Sequence, residues 1–234
     1  MITALQVAAV AVDARPVEVP RHIVPPVASG VLPKVVDNNE QLVSLSDEFL
    51  CLNLYQVDGW PGTRTATFAR ESVRSRLEYA QSLLPAGYTF AVFDAWRSMA
   101  TVRALYAHYY GPGSDLAPGF LADPDDPDTL PPHNTGGAID LTLAWQSSAL
   151  ALGTYFDDFS SLAGADALET THAESSLDRN LRRLLSSVMT ASGFVGLADE
   201  WWHFSYGDQE WAWQLRQSAA CFGPVEPGDR ASSW

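Results

Sequence analysis

Two short stretches of this 234-residue chain place metal-binding and proton-transferring side chains at useful spacing. In HNTGGAID, His133 is followed by Asp140; in EWWHF, Glu200 stands three positions before His203. A catalytic zinc ion takes three protein ligands from His, Cys, Asp and Glu and leaves a fourth position for water. Of the five histidines, His22, His108, His133, His172 and His203, two therefore sit in the right company. Gly136 and Gly137 strip side chains from the backbone between His133 and Asp140, which lets a loop histidine and a strand aspartate converge on one ion. In an unbroken strand Glu200 and His203 would point to opposite faces. Glu200 is accordingly expected in the turn before the strand, leaning over a metal held by His203.

Each piece also has an ordinary reading. A histidine among tryptophans is commonly a packed core residue, an aspartate after Gly-Gly a turn residue, and an acid near a histidine a salt bridge. The balance shifts because three ligands each fall at the edge of an expected strand, with a spare carboxylate beside them. Arg97 ends the run YTFAVFDAW where the chain turns into a helix, a common location for catalytic groups. Its ordinary reading is a buried salt bridge with Asp94.

The elements that must hold these residues can be read from periodicity. A helix is expected over about 65–84, with Val73, Leu77, Ala80 and Leu84 on one face and Pro85 and Gly87 ending it. YTFAVFDAW reads as a strand and roughly 98–110 as a second helix. Residues 111–132, rich in Gly, Pro and Asp, read as a long loop, of the kind that is usually functional or mobile. GGAIDLTLA reads as a strand. Residues 176–192 form the clearest helix, with Leu177, Leu181, Leu184, Leu185, Val188 and Met189 on one stripe and Gly193 as cap. WWHFSY reads as an aromatic strand. Helices and strands do not alternate regularly, so the class is α+β, a single domain with a mainly antiparallel sheet flanked by helices. Prolines 16, 20, 25, 26 and 33 make 1–40 an extended segment ahead of a domain over 41–222, and 223–234 reads as a loose tail.

Composition bounds the function classes. The formal net charge of -14, with only 14 Lys and Arg, argues against a phosphate-binding surface and so against nucleic acid. With 47% hydrophobic residues and 8 tryptophans the chain can bury a sizeable core. No apolar run reaches the roughly 20 residues that span a bilayer, and the mildly apolar start lacks a positively charged leader. The expectation is a soluble, cytoplasmic protein, with Cys51 and Cys221 as free thiols and one long-range disulfide between them as the alternative.

FDAWRS, HNTGGAIDLTL, GTYFDDF and EWWHF, in that order, resemble the VanX-type D-Ala-D-Ala dipeptidases, within a wider group of zinc peptidases that includes D,D-carboxypeptidases. The resemblance covers roughly residues 45–210 and implies a zinc D,D-peptidase or Hedgehog-like fold with one Zn2+ per chain. It implies that His133, Asp140 and His203 ligate zinc, that Glu200 is the catalytic base and that Arg97 stabilises the transition state. Asp157 would anchor the free amino group of a small dipeptide substrate, and Tyr55 would contact that substrate. Members of this branch carry a serine two residues before the first zinc histidine, where it meets the substrate's C-terminal carboxylate; here Pro131 stands there, with no hydroxyl and no backbone donor. A D,D-carboxypeptidase, a dipeptidase of different specificity and a non-catalytic zinc-binding module remain open alternatives, and the oligomeric state is open as well.

Overall fold

The fold was obtained as a computed structural model, which describes residues 2–3, 20–21, 23–26, 30–116, 119–169 and 176–228. His22 and His172 lie outside them. Among the described residues, nine short strands and five helices run in the order β1 (Ile2–Thr3), β2 (Leu42–Ser44), β3 (Leu50–Cys51), α1 (Leu54–Val57), β4 (Phe68–Arg70), α2 (Glu71–Ser82), β5 (Tyr88–Asp94), α3 (Met99–Tyr109), β6 (Ala138–Trp145), β7 (Ser148–Ala151), α4 (Ser176–Ala191), β8 (Val195–Gly196), β9 (His203–Ser205) and α5 (Gln209–Gln214). A 3-10 turn, Pro132–Thr135, precedes β6.

β6 is the axis of the sheet. One edge pairs antiparallel with β5, while the other pairs with β9 along its first half and with β7 along its second. β3 adds to β5 and β1 to β7 in parallel, β8 extends β9, and β2 and β4 form a separate antiparallel pair. The sheet is thus mixed but mainly antiparallel, as the irregular order of elements predicts. Every residue of β6 except Trp145 is buried. Side chains alternate across the sheet, so Ile139 and Leu141 enter the core while Asp140 between them faces the other way.

The helices follow their apolar stripes. On α4, Leu181, Leu184, Leu185, Val188 and Met189 are buried in the core, each contributing roughly 1.5–3 kcal/mol through burial. Ser98 caps α3 by accepting a hydrogen bond from the Thr101 N–H at 3.1 Å. The first helix is shorter than periodicity suggests. α2 begins at Glu71, not near 65, because Phe68–Arg70 is committed to β4 and pairs with Leu42–Ser44. Residues 223–225, expected to begin a loose tail, are docked instead: Gly223 O accepts from Arg70 Nη2 at 2.8 Å and Val225 O accepts from Trp96 Nε1 at 2.7 Å. Cys51 and Cys221 are both free thiols. Among the described residues no helix is long and apolar enough to cross a membrane.

Candidate metal centre and substrate pocket

Three neighbouring strands place three polar residues in one row. Asp140 on β6 faces His203 on β9 across one ladder and Asp94 on β5 across the other. Directly opposed residues share a face, so all three side chains emerge together. Asp94 owes its place to a bulge. The β5–β6 pairing runs regularly from Tyr88↔Trp145 to Val92↔Leu141, then slips by one residue, so that Asp94 rather than Phe93 meets Asp140.

His133 reaches the same point from the 3-10 turn. Its carbonyl accepts from the Arg97 N–H at 3.2 Å, and Asn134 Nδ2 donates to Arg97 O at 3.0 Å, which ties the turn to the end of β5. Gly136 then takes φ +73, the left-handed conformation that lets the chain turn into β6. A Cβ on Gly137 would collide with the backbone oxygen of Tyr206, so the close approach of the two chains there depends on glycine. The buried Arg70 braces the turn, donating from Nε to Thr135 O at 2.8 Å.

The result is a compact donor set. His203 Nδ1 lies 3.0 Å from Asp140 Oδ1, His133 Nε2 lies 3.3 Å from Asp140 Oδ2, and the two imidazole nitrogens are 3.3 Å apart. His133, Asp140 and His203 are all buried. His133 Nδ1 sits 2.7 Å from Ala95 O, which can only accept, so the proton is on Nδ1 and the Nε2 lone pair faces the centre. Four-coordinate zinc with bonds of about 2.0–2.2 Å separates its ligands by roughly 3.3 Å, so this set fits such an ion. Burial alone would raise the Asp140 carboxyl, but the hydrogen bonds and charges of His133 and His203 outweigh it and hold Asp140 well below the usual range. In turn, burial opposes charging of His203, yet Asp140, helped by Glu200 and Asp208, pushes its imidazole up to about 9. The three side chains thus form a buried site that draws positive charge to itself.

Glu200 lies where the sequence placed it, outside β9 and before His203, with Oε2 4.0 Å from His203 Nδ1. Burial pushes its carboxyl up to about 8 against the pull of His203. The next residue fixes its position. Trp201 donates from its N–H to Ala163 O at 2.9 Å and from Nε1 to Thr154 Oγ1 at 2.8 Å, which joins EWWHF to GTYFDDF. Arg182 lies over the Trp201 ring and donates to the carbonyls of Leu152, Gly164 and Leu162 at 2.6, 2.9 and 3.0 Å, framing the same loop.

Arg97 makes the salt bridge that its ordinary reading predicts and also faces the centre. Asp94 Oδ2 accepts from its Nε at 3.0 Å and its Nη2 at 2.9 Å, while Nη2 stands 3.6 Å from Asp140 Oδ2. The guanidinium lies over the Tyr55 ring, 4.7 Å from its centroid. The buried Tyr55 hydroxyl donates to Asp157 Oδ2 at 2.8 Å. Asp157 takes φ +58, an uncommon conformation for any residue but glycine. Burial pushes its carboxyl up to about 7, opposed by the Tyr55 hydrogen bond and the charge of Arg97.

All seven residues singled out from the sequence other than Asp94 thus come together, and six of them, Tyr55, Arg97, His133, Asp140, Glu200 and His203, share with Asp157 the lining of one cavity of about 290 Å3. Three features escaped the sequence. The place of Asp94 in the row beside Asp140, the Ala95 carbonyl that fixes the His133 tautomer, and Arg182 against the 152–164 loop depend on a bulge, a backbone atom and a long-range packing contact. None of these leaves a spacing signal.

The chain is 29% identical over 200 residues to the D-alanyl-D-alanine dipeptidase of Synechocystis, covering 70% of this chain and 81% of that protein. It is 36% identical over 97 residues to the Escherichia coli enzyme of that name, covering 41% of this chain and 47% of that one. The Enterococcus faecium enzyme of the same name is 26% identical, over 65% of this chain and 82% of its own length. A crystal structure of the vancomycin-resistance D,D-dipeptidase VanXYg in complex with a D-Ala-D-Ala phosphinate analogue aligns at 20% identity and a TM-score of 0.36, over 60% of this chain and 51% of that chain. The family described as D-ala-D-ala dipeptidase matches residues 55–223, most of the folded region, and the chain belongs to it.

Proposed function

We propose that this protein is a zinc-dependent dipeptidase acting on D-Ala-D-Ala or a related small dipeptide, with His133, Asp140 and His203 holding one zinc ion. The observation that carries the reading is the buried His–Asp–His set with Glu200 and Arg97 at its edge in one cavity. When bound, zinc supplies an acidified water and polarises a carbonyl. His133 and His203 offer lone pairs to the ion, and Asp140 offsets its charge.

Glu200 takes the proton of the attacking water and passes it to the leaving amine. Its raised affinity for protons suits a group that must both accept and release one near neutral pH. Arg97, held by Asp94 on one side, offers its cation to the oxygen that becomes negative during attack. Asp157, oriented by the Tyr55 hydroxyl, receives the substrate's ammonium through a charge-assisted hydrogen bond. A purely structural zinc site closes its fourth position with a protein ligand. The flanking catalytic groups and the adjoining cavity instead favour hydrolysis over a non-catalytic module, and the Asp157–Tyr55 pair favours a free-amine dipeptide over a longer, blocked chain.

The test is turnover of D-Ala-D-Ala and its N-acetylated form by zinc-loaded protein. Free dipeptide is expected to be cleaved and the acetylated one to be poor. Equal rates for both would favour a D,D-carboxypeptidase.

A further inference from the structure

The cavity has two unlike ends. Tyr55, on α1 just after β3, and Asp157 mark the polar one. The strand order β3, β5, β6 with β9 beyond β6 puts the metal-binding row between that end and Gln209, which follows β9. Near Gln209 the lining is Leu32, Leu130, Pro131 and Pro132, while Phe120 packs on Phe159 of the Asp157 loop, 5.1 Å between ring centroids.

Several hydrogen-bond donors of the cavity lining are already engaged within the protein. Leu130 N–H donates to Gln209 Oε1 at 2.8 Å. Gln209 Nε2 donates in turn to Pro33 O at 3.0 Å and Asp128 O at 3.1 Å. The N–H groups of Phe120 and Leu121 are both held by the Tyr110 hydroxyl, at 3.1 and 3.3 Å. Pro131 and Pro132 have no N–H. Arg97 is the one Lys or Arg among the described lining residues, and it stands beside Asp94 and Asp140 at the metal-binding row, away from Leu130 and Pro131. A carboxylate moved from water onto Leu130, Pro131 and Pro132 would lose its hydration and find no free donor there. An alkyl or aryl side chain loses nothing and sheds water.

We infer that the second residue of the preferred dipeptide carries a bulky apolar side chain, of leucine or phenylalanine size, which packs on Leu130, Pro131 and Leu32, and that its terminal carboxylate contributes little to recognition. The inference deepens the dipeptidase reading and rests on it. Gln209 sets the wall: its amide closes on the loop from both sides and keeps the Leu130 N–H away from the substrate.

Zinc-loaded protein is assayed with D-Ala-D-Ala, D-Ala-D-Leu and D-Ala-D-Leu amide. The value of kcat/KM is expected to be at least about tenfold higher for D-Ala-D-Leu than for D-Ala-D-Ala, with the amide cleaved at a rate comparable to the acid. Preference for D-Ala-D-Ala, or loss of cleavage on amidation, overturns the inference. Calorimetric binding to zinc-loaded Glu200→Gln reads the wall without turnover. Tighter binding of D-Ala-D-Leu supports it, and equal or weaker binding overturns it. Pro131→Ser returns a hydroxyl and an N–H to the wall and should narrow the leucine preference at an unchanged melting temperature; an unchanged ratio counts against the inference. If that variant does not fold, Leu130→Ala takes its place and should lower D-Ala-D-Leu cleavage while sparing D-Ala-D-Ala; equal losses overturn it. Failure of the dipeptidase reading looks different, since no dipeptide is then bound or cleaved, and it removes both.

Discussion

Arg97→Lys keeps the charge beside the metal-binding row and removes the fork. In the wild-type protein one guanidinium serves two carboxylates: Asp94 Oδ2 receives Nε at 3.0 Å and Nη2 at 2.9 Å, and Asp140 Oδ2 lies 3.6 Å from Nη2. A lysine ammonium is a point charge on a flexible stem and cannot hold Asp94 bidentately while presenting a donor to the substrate. Withdrawing one fixed donor from a developing negative charge costs about 3 kcal/mol, which is roughly a hundredfold in rate. Because that charge exists only in the transition state, kcat and kcat/KM should fall together while KM stays nearly constant. Steady-state kinetics on a free D-dipeptide, with zinc content and melting temperature as controls, reads this directly. Zinc should be retained, because none of the three ligands changes. A variant with unaltered kcat and a raised KM would refute the reasoning, since Arg97 would then be gripping the ground-state substrate, for instance by its carboxylate.

Other outcomes follow from the same geometry. Glu200→Gln should keep one zinc per chain by metal analysis while hydrolysis drops about 10²–10⁴-fold in a discontinuous product assay. Asp157 must be ionised to meet an ammonium, and burial pushes its carboxyl up to about 7, so kcat/KM for free-amine dipeptides should decline as pH falls through that value. In Asp157→Asn that acid limb should be missing from the pH profile; an identical limb would assign it to another group. Arg182→Ala leaves the buried Leu152 carbonyl unpaired at about 1–3 kcal/mol and releases two part-buried ones, so calorimetry should record a melting temperature lower by several degrees.

The sequence was most informative where chemistry needs particular residue types. His133, Asp140, Glu200 and His203 could be picked out because few side chains bind metal and because Glu200 and His203, three positions apart, cannot share one face of an unbroken strand. The α4 helix was legible for a similar reason, a stripe with a 3.6-residue period. The start of α2 was not, since the tendency of 65–70 toward helix lost to a tertiary pairing with Leu42–Ser44. Asp94 could be seen only as a partner for Arg97. Its place in the row depends on a one-residue slip at Val92–Asp94, and no side chain announces a bulge. The docking of Gly223–Val225 was hidden as well, because it is secured by the backbone carbonyls of a segment whose composition reads as loop.

The most direct test is the zinc content of wild-type protein beside His203→Ala, measured on dialysed, folded samples. The wild type should carry one equivalent per chain and the variant almost none, with hydrolysis lost alongside the metal. A full equivalent retained by His203→Ala would mean that these side chains do not share an ion.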